Sequence, residues 1–206
     1  VHIWDEWEIG EDGIWKATQN VLGKDEKLEK KEIEKDFGQQ WDHTIGTAYG
    51  YIVNKFGLTD ELIDKIKNNP EDRRMVMSLW QNDYLDTAVL PSCVWSSEWD
   101  VTDGKLNAWV HQRSCDVPLG LPFNVTQYAV LLNMLAKTYN LKPGTLDWSI
   151  KDAHIYVNQI DGIKEQIRRM DELGDYNAPE LWLNPDVKNF YDYDNSRDCK
   201  DVKVLN

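Results

Sequence analysis

The stretch on which the interpretation of the fold depends is Gln112-Arg113-Ser114-Cys115-Asp116-Val117-Pro118-Leu119-Gly120-Leu121-Pro122-Phe123-Asn124. It brings a fixed cation, a hydroxyl, a carboxylate and an amide together immediately before an apolar helical pattern. The planar guanidinium of Arg113 suits a phosphate group. Asn124 can donate and accept at once, as the O4 and N3 edge of uracil requires. The stretch therefore predicts a small polar site for a pyrimidine nucleotide, although a turn followed by a helix cap would give a similar pattern.

Length and composition limit the class of protein. The chain has 206 residues, of which 41% are hydrophobic, and this predicts one domain with a substantial core. A formal net charge of −13 argues against binding to a polynucleotide or an anionic membrane. Without a long apolar run or a signal peptide, a cytoplasmic protein is expected. Three cysteines and four histidines without paired spacing indicate reduced thiols and predict no metal site.

A second motif lies upstream of Arg113, and others accompany it in a fixed order. Leu90-Pro91-Ser92-Cys93 offers a thiol at a proline-shaped corner. The complete set, in chain order, is Ile3-Trp4-Asp5-Glu6-Trp7, Ala48-Tyr49-Gly50, Arg73-Arg74, Leu90 to Cys93, Gln112 to Asp116, Leu119 to Asn124, and Asp152-Ala153-His154-Ile155-Tyr156. In these motifs the chain resembles the thymidylate synthase family, in particular members with Cys93-Val94 after the proline turn. The resemblance covers nearly all of the chain except roughly residues 8–44.

The resemblance implies an architecture. We expect an α+β fold in which a mixed, bent sheet is flanked by helices and two subunits pack sheet against sheet in a homodimer. Residues 1–206 would form a single domain, incomplete at both ends, because family members carry a further N-terminal portion and a C-terminal tail. Residues 15–44 would be a variable, charged surface insertion.

The resemblance also implies a reaction, the reductive methylation of dUMP to dTMP with 5,10-methylenetetrahydrofolate as cosubstrate, giving dihydrofolate. Cys93 would attack C6 of the pyrimidine, because a thiolate is the best protein nucleophile for that addition. Arg113 would stabilise the thiolate, Asn124 would meet the developing charge at O4, and Tyr49 would relay a proton. Asp116 would hold the pterin. Cys115 is the rival nucleophile, but it lacks a proline-shaped corner.

The resemblance also implies the residues that bind the substrates. Those expected at the nucleotide are Arg73, Arg74, Gln112, Arg113, Ser114, Asn124, His154 and Tyr156, with Arg73 and Arg74 reaching the phosphate site of the partner subunit. Those expected at the folate are Trp4, Trp7, Asp116 and Gly120. Two alternatives remain open from the sequence: a dUMP or dCMP hydroxymethylase on the same fold, and an inactive nucleotide-binding or dimerisation module.

Local patterns predict the elements that position these residues. The charged run at residues 24–36 predicts a solvated helix. Residues 95–101 and 106–110, joined by a turn at Thr102-Asp103-Gly104, predict a hairpin with Trp95, Trp99 and Val101 on one side. This hairpin would bring Cys93 and Arg113 to the same end of a sheet. Residues 125–139 predict a helix capped by Asn124. Residues 75–80 predict a buried strand, and residues 148–156 a strand with His154 and Tyr156 on one face.

Overall fold

The part of the chain that the structure describes contains both strands and helices, in short runs of each. The structure is a computed structural model that describes residues 7–22, 27–174, 177–194, 196 and 198–205. The strands are β1 (Ile14–Leu22), β2 (Leu28–Asp36), β3 (Val76–Ser78), β4 (Val94–Thr102), β5 (Lys105–Gln112), β6 (Cys115–Asp116), β7 (Lys142–Ile150), β8 (Ala153–His154), β9 (Glu180–Leu183) and β10 (Val202–Leu205). The helices are α1 (Gly50–Lys55), α2 (Leu58–Asn68), α3 (Gly120–Thr138) and α4 (Ile160–Leu173). Short 3₁₀ turns cover Gln39–Trp41, Asn82–Tyr84, Val157–Gln159 and Phe190–Asp192. The predicted α+β class is confirmed.

The chain divides into two compact units, residues 1–59 with 78–92 and residues 60–77 with 93–206. In the first unit, β1 and β2 form an antiparallel hairpin. Trp15 of this hairpin belongs to a cluster of buried side chains that also contains Ile9, Phe37 and Val89. The rings of Trp7 and Trp15 stack with their centroids 5.5 Å apart.

The helix predicted for residues 24–36 is wrong. In the part of this segment that the structure describes, residues 28–36 form the strand β2, which pairs with β1 from Leu28 to Asp36. Ile33 lies opposite Ala17 and packs against the buried cluster, while Lys16 lies opposite Glu34. Mixed charge suits either a solvated helix or a solvated hairpin, so the pairing with β1 decides the conformation over local helix propensity.

A mixed sheet in the order β3-β4-β5-β7 forms the centre of the second unit. β4 and β5 are antiparallel and joined at Asp103-Gly104, whose φ angles of 51° and 70° are those of a tight hairpin turn. β5 and β7 are parallel. Helix α3 connects them and packs on the sheet face that carries Leu106 and Val110, both fully buried. The predicted hairpin and mixed sheet are confirmed.

The side assigned to Trp95 in that hairpin is wrong. Val94 pairs with Gln112, but Ser96 pairs with His111, so Trp95 is the extra residue of a β-bulge. Trp95 is therefore 39% exposed, whereas Trp99 is 4% exposed. The bulge interrupts the alternation of sides that the sequence pattern assumes.

Helix α3 begins at Gly120 rather than at Val125, so Asn124 is not its cap. Asp116 accepts a hydrogen bond from the Leu119 N–H at 3.1 Å just before the helix starts. Pro122 is compatible with the first turn of α3. The N–H groups of a helix's first turn have no partner within the helix, so the N–H that proline lacks is not needed there. Asn124 therefore projects from the second turn of a formed helix.

The strand predicted for residues 148–156 is interrupted. β7 ends at Ile150, Lys151 forms a bend, and β8 resumes for two residues alongside β6. The predicted strand at residues 75–80 is shorter too, since only residues 76–78 are extended. Met75 and Met77 are buried while Val76 is exposed, which is the alternation of a strand covered on one face. No helix among the described residues is long and apolar enough to cross a membrane.

Candidate active site

Cys93 lies at the point where the chain enters β4, immediately after Pro91 and Ser92. The Arg113 N–H donates to the Cys93 carbonyl oxygen at 2.9 Å, next to the pair formed by Val94 and Gln112. The hairpin thus brings the two sequence motifs side by side at one end of the sheet, as predicted. Both side chains are half-buried. The contact joins main-chain atoms, and it places the two residues opposite each other at the end of the ladder.

Cys115 has the environment of an inert thiol. Its residue is 1% exposed. Burial raises the pKa of the Cys115 thiol, and the charges of Asp116 and Cys93 raise it further. Because only the thiolate attacks an electrophile, the structure favours Cys93 over Cys115 as the nucleophile.

The amide of Asn124 is oriented by a chain of hydrogen bonds that begins at Trp148. An indole nitrogen can only donate, and Trp148 Nε1 donates to Gln112 Oε1 at 2.9 Å. This fixes the Gln112 amide, so its Nε2 donates to Asn124 Oδ1 at 3.2 Å and to the Ser114 carbonyl at 2.9 Å. Gln112 is 3% exposed, which protects the chain from water. The donor Nδ2 of Asn124 is thereby placed on the side away from Gln112.

Asp116 belongs to the short strand β6, which pairs in parallel with β8 so that Asp116 lies opposite His154. Both oxygens of Asp116 accept from Gln159 Nε2, at 3.0 and 2.8 Å. His154 Nδ1 lies 3.2 Å from Asp152 Oδ1, and the His154 ring meets the Tyr156 ring edge to face at 5.0 Å. The predicted neighbours His154 and Tyr156 are therefore in contact, and Asp116 is adjacent to them.

Comparison with known proteins decides the family. The family model described as Thymidylate synthase matches residues 1–206. The chain belongs to the thymidylate synthase family.

Individual relatives agree with this assignment. A thymidylate synthase of Clostridium beijerinckii is 51% identical over 82% of this chain and 66% of its own length. A thymidylate synthase of Bacillus licheniformis is 38% identical over 94% of this chain and 60% of its own length. The solved structure of thermostable thymidylate synthase A from Bacillus subtilis matches with a TM-score of 0.73 and 39% identity, over 82% of this chain and 62% of that one. The chain thus spans about two thirds or less of the length of these relatives.

Gly120 lies where the thymidylate synthase motif turns into α3. A Cβ added there would meet Asn124 Oδ1 and the Asp116 Cβ, each at 3.6 Å. Gly120 is therefore adjacent to the two polar side chains that the sequence assigns to the pyrimidine and the pterin. Ser114 supplies its carbonyl oxygen to Gln112, as described above.

Tyr49 belongs to the first unit and adopts a strained backbone. Its φ and ψ of 41° and −98° lie outside the regions that a side chain with a Cβ ordinarily occupies. Such strain is concentrated at functional positions because the surrounding structure must maintain it. Its predicted part in proton transfer stays a prediction.

Arg73 and Arg74 lie in the turn just before β3 and are both exposed. The Trp99 N–H donates to the Met75 carbonyl, so the arginines approach β4 six residues beyond Cys93, roughly 20 Å along an extended strand. The structure therefore does not bring them together with Cys93 in one chain. Trp4 lies outside the described residues, and the folate contact predicted for Trp7 stays a prediction.

Sequence reasoning missed Gln159. It ends the 3₁₀ turn Val157–Gln159 and directly precedes α4, where polar residues are common and carry little information. Its only signal in the sequence is its position a few residues after the His154 and Tyr156 motif. Among the described residues, no group of three or more histidine, cysteine, aspartate or glutamate side chains could hold a metal ion.

Proposed function

We propose that the protein is a thymidylate synthase, which converts dUMP to dTMP with 5,10-methylenetetrahydrofolate and releases dihydrofolate. The observation that supports this most is the placement of Cys93 beside Arg113 within the same unit as the oriented amide of Asn124. The names of the relatives point to the same activity in those proteins.

In this proposal Cys93 adds to C6 of the pyrimidine, which makes C5 nucleophilic. Arg113, whose main chain pairs with that of Cys93, contributes a fixed positive charge next to the nucleophile. As negative charge develops at O4, the Nδ2 donor of Asn124 stabilises it. C5 then bonds to the methylene carbon of the folate, and the proton of C5 is lost with the participation of Tyr49. Hydride transfer from the folate to that carbon completes the methyl group, releases dihydrofolate and frees Cys93 from C6. The residue after Cys93 is Val94, whose side chain cannot form a hydrogen bond. Other side chains must therefore order the water near O4.

Other side chains bind the phosphate and the sugar of the nucleotide and the pterin of the folate. The phosphate is bound by Arg113 and Ser114 of one subunit, and by Arg73 and Arg74 of the partner. His154 and Tyr156 clamp the sugar hydroxyl, and their ring contact supports a joint role. The pterin lies against Asp116 and Gly120, with Trp4 and Trp7 beside it.

The homodimer is part of the proposal, and the open face of the sheet supports it. One face of the sheet is covered by α3, whereas Val76, Trp95 and Trp109 on the other are 47%, 39% and 49% exposed. The His111 ring lies between those of Trp95 and Trp109, at 5.5 and 5.1 Å. Large exposed aromatic surfaces on an ordered sheet are typical of a protein interface. A second copy in the proposed orientation would cover them, and we expect the dimer to be cytoplasmic.

Sedimentation velocity tests the dimer. Trp109→Lys should shift the protein towards the monomer, because it places a charge in the centre of the interface. Ile167→Lys is the matched control, since Ile167 is also an exposed apolar residue but lies on α4. Equal association of the two variants would contradict the proposed interface.

Adduct formation tests the reaction. With 5-fluoro-dUMP and methylenetetrahydrofolate, the fluorine cannot leave C5 as a proton does, so the reaction should stop as a covalent adduct on the peptide containing Cys93. Cys93→Ser should abolish the adduct, while Cys199→Ser should retain it. With dUMP, the products should be dTMP and dihydrofolate. A 5-hydroxymethyl product would identify a hydroxymethylase instead, and the absence of any adduct would favour an inactive module.

A further inference from the structure

Gln159 connects two parts of the candidate site through one side-chain amide. Its Nε2 lies 3.0 and 2.8 Å from Oδ1 and Oδ2 of Asp116, a residue 43 positions earlier in the chain. Its Oε1 accepts a hydrogen bond from the Tyr156 N–H at 2.9 Å. The two ends of the amide therefore join a carboxylate to the main chain of the His154 and Tyr156 segment.

The position of Gln159 is determined by the backbone. Its own N–H donates to the Tyr156 carbonyl at 2.9 Å, which closes the 3₁₀ turn that leads into α4. With the side chain returning to the Tyr156 N–H, the residue forms a closed local ring of hydrogen bonds. The Nε2 donor is consequently held in one place and does not depend on a freely rotating side chain.

Asp116 is held from two directions. Gln159 donates to both of its oxygens, and the Leu119 N–H donates to Oδ1 at 3.1 Å. Hydrogen bonds to an ionised carboxylate are stronger than those between neutral groups. A carboxylate has about four lone-pair positions, so Asp116 can still accept from a ligand after these contacts. Its plane, however, is fixed before any ligand arrives.

We propose that Gln159 is a positioning residue, which presents the Asp116 carboxylate to the donor groups of the pterin and couples that subsite to the sugar clamp at Tyr156. This inference rests on the proposed function. It adds to the site a residue, Gln159, that belongs to none of the sequence motifs given above. Preorganisation of this kind lowers the cost of binding, since the carboxylate need not be ordered when the folate binds.

Two substitutions test separately the contacts made by the two ends of the Gln159 amide. Gln159→Glu keeps an oxygen for the Tyr156 N–H but places a second negative charge against Asp116. Gln159→Met keeps the length of the side chain and removes both hydrogen bonds. Gln127→Glu is the matched control, because it makes the same change of charge at an exposed position on α3.

The measurements are the dissociation constant of dUMP alone and that of dihydrofolate with saturating dUMP, both by calorimetry, because dihydrofolate carries the pterin but has no methylene group to form a covalent adduct. We expect Gln159→Glu to weaken folate binding by about tenfold or more and dUMP binding by less than about twofold. Gln159→Met should weaken folate binding less than Gln159→Glu, because it introduces no repulsion, and should weaken dUMP binding more, because the Tyr156 anchor is lost. Gln127→Glu should match the unchanged protein in both.

The results that would overturn the inference differ from those that would overturn the function. If the unchanged protein binds both ligands and Gln159→Glu binds folate equally well, the positioning role is wrong while the function stands. An equal loss of both ligands in Gln159→Glu would likewise reduce Gln159 to a structural residue. If the unchanged protein binds neither ligand, the proposed function fails, and the inference fails with it.

Discussion

The indole N–H of Trp148 and the amide of Asn124 do not touch, yet the first determines the orientation of the second through Gln112. Because Trp148 can only donate, Gln112 must present its oxygen to it and its nitrogen to Asn124. The donor of Asn124 is then available to an acceptor such as uracil O4. In the proposed function, selectivity for uracil should therefore depend on Trp148, which is not among the residues expected to contact the base.

Trp148→Phe should reduce the preference for dUMP over dCMP. The phenyl ring of the new residue still packs beside Tyr128. Gln112, however, loses the donor that fixes its amide, so the amides of Gln112 and Asn124 can each adopt either orientation. We expect the ratio of the two dissociation constants to fall by about tenfold, the effect of one buried hydrogen bond. Calorimetric titration of both nucleotides measures this ratio.

Asn124→Asp provides the comparison, since it changes the group that meets the base itself. It should narrow or reverse the preference, because a carboxyl group accepts from the amino group of cytosine. If Trp148→Phe leaves the ratio unchanged while Asn124→Asp alters it, the orientation of Asn124 does not depend on Trp148. Equal binding of dUMP and dCMP by the unchanged protein would contradict the role of Asn124.

The cysteines should differ in their reaction with iodoacetamide. Cys93 should be alkylated at least about tenfold faster than Cys115 near pH 8, because burial raises the pKa of the Cys115 thiol and blocks access to it. Peptide mass spectrometry at successive times gives the two rates. In urea the rates should become similar, which controls for differences intrinsic to the peptides. Faster modification of Cys115 in the folded protein would contradict its assignment as inert.

Tyr128 should contribute to unfolding at alkaline pH. Burial raises its pKa to about 12 from its usual value of 10.0, although a hydrogen bond with Ser97 opposes the shift. The folded state therefore keeps the proton while the unfolded state loses it above pH 10, so stability is fully present below pH 10 and is lost as the pH rises towards 12. The loss should be on the order of 2–3 kcal/mol.

Tyr128→Phe removes this proton and should be less sensitive to alkali. Urea unfolding of both proteins at several values of pH gives the difference in free energy of unfolding. That difference should move in favour of Tyr128→Phe as the pH rises above 10. Parallel pH curves for the two proteins would show that Tyr128 is not the group responsible.

Gly46 should not tolerate a side chain. Its φ of 70° favours glycine, and a Cβ there would overlap the carbonyl oxygen of Thr87. Gly46→Ala should therefore cost on the order of 3 kcal/mol or more of unfolding free energy. Gly162→Ala is the control, because Gly162 lies in α4 with open space around it, and it should stabilise the protein by about 0.5–1 kcal/mol. Equal thermal shifts in the two variants would be inconsistent with the structure.

The sequence predicted the parts of the site that depend on neighbours in the chain or on a regular hairpin. The turn at Asp103-Gly104 and the alternation along β5 are local signals, and they suffice to place Arg113 next to Cys93. His154 and Tyr156 were predicted to share a face because they occupy alternate positions, and their rings are in contact although β8 ends at His154.

What the sequence did not predict depends on contacts between distant segments. The strand β2 forms because β1 is available to pair with it, and no pattern within residues 28–36 indicates that partner. The bulge at Trp95 changes the face of the sheet to which side chains of β4 point, and the amino-acid composition of the strand does not reveal it. Gln159 becomes significant only once β6 and β8 pair and bring Asp116 to it.

The bulge at Trp95 also determines where the length of β4 can change without moving Cys93. Beyond it, β4 is held by its turn and by the hydrogen bond from Trp99 to Met75. Because the pairing with β5 passes over Trp95, removing this residue would bring the pairs Val94–Gln112 and Ser96–His111 next to each other in a regular ladder. Cys93 would then still lie opposite Arg113. A deletion between Ser97 and Val101 would instead shift the pairing of the preceding residues by one position and turn Cys93 to the other face of the sheet.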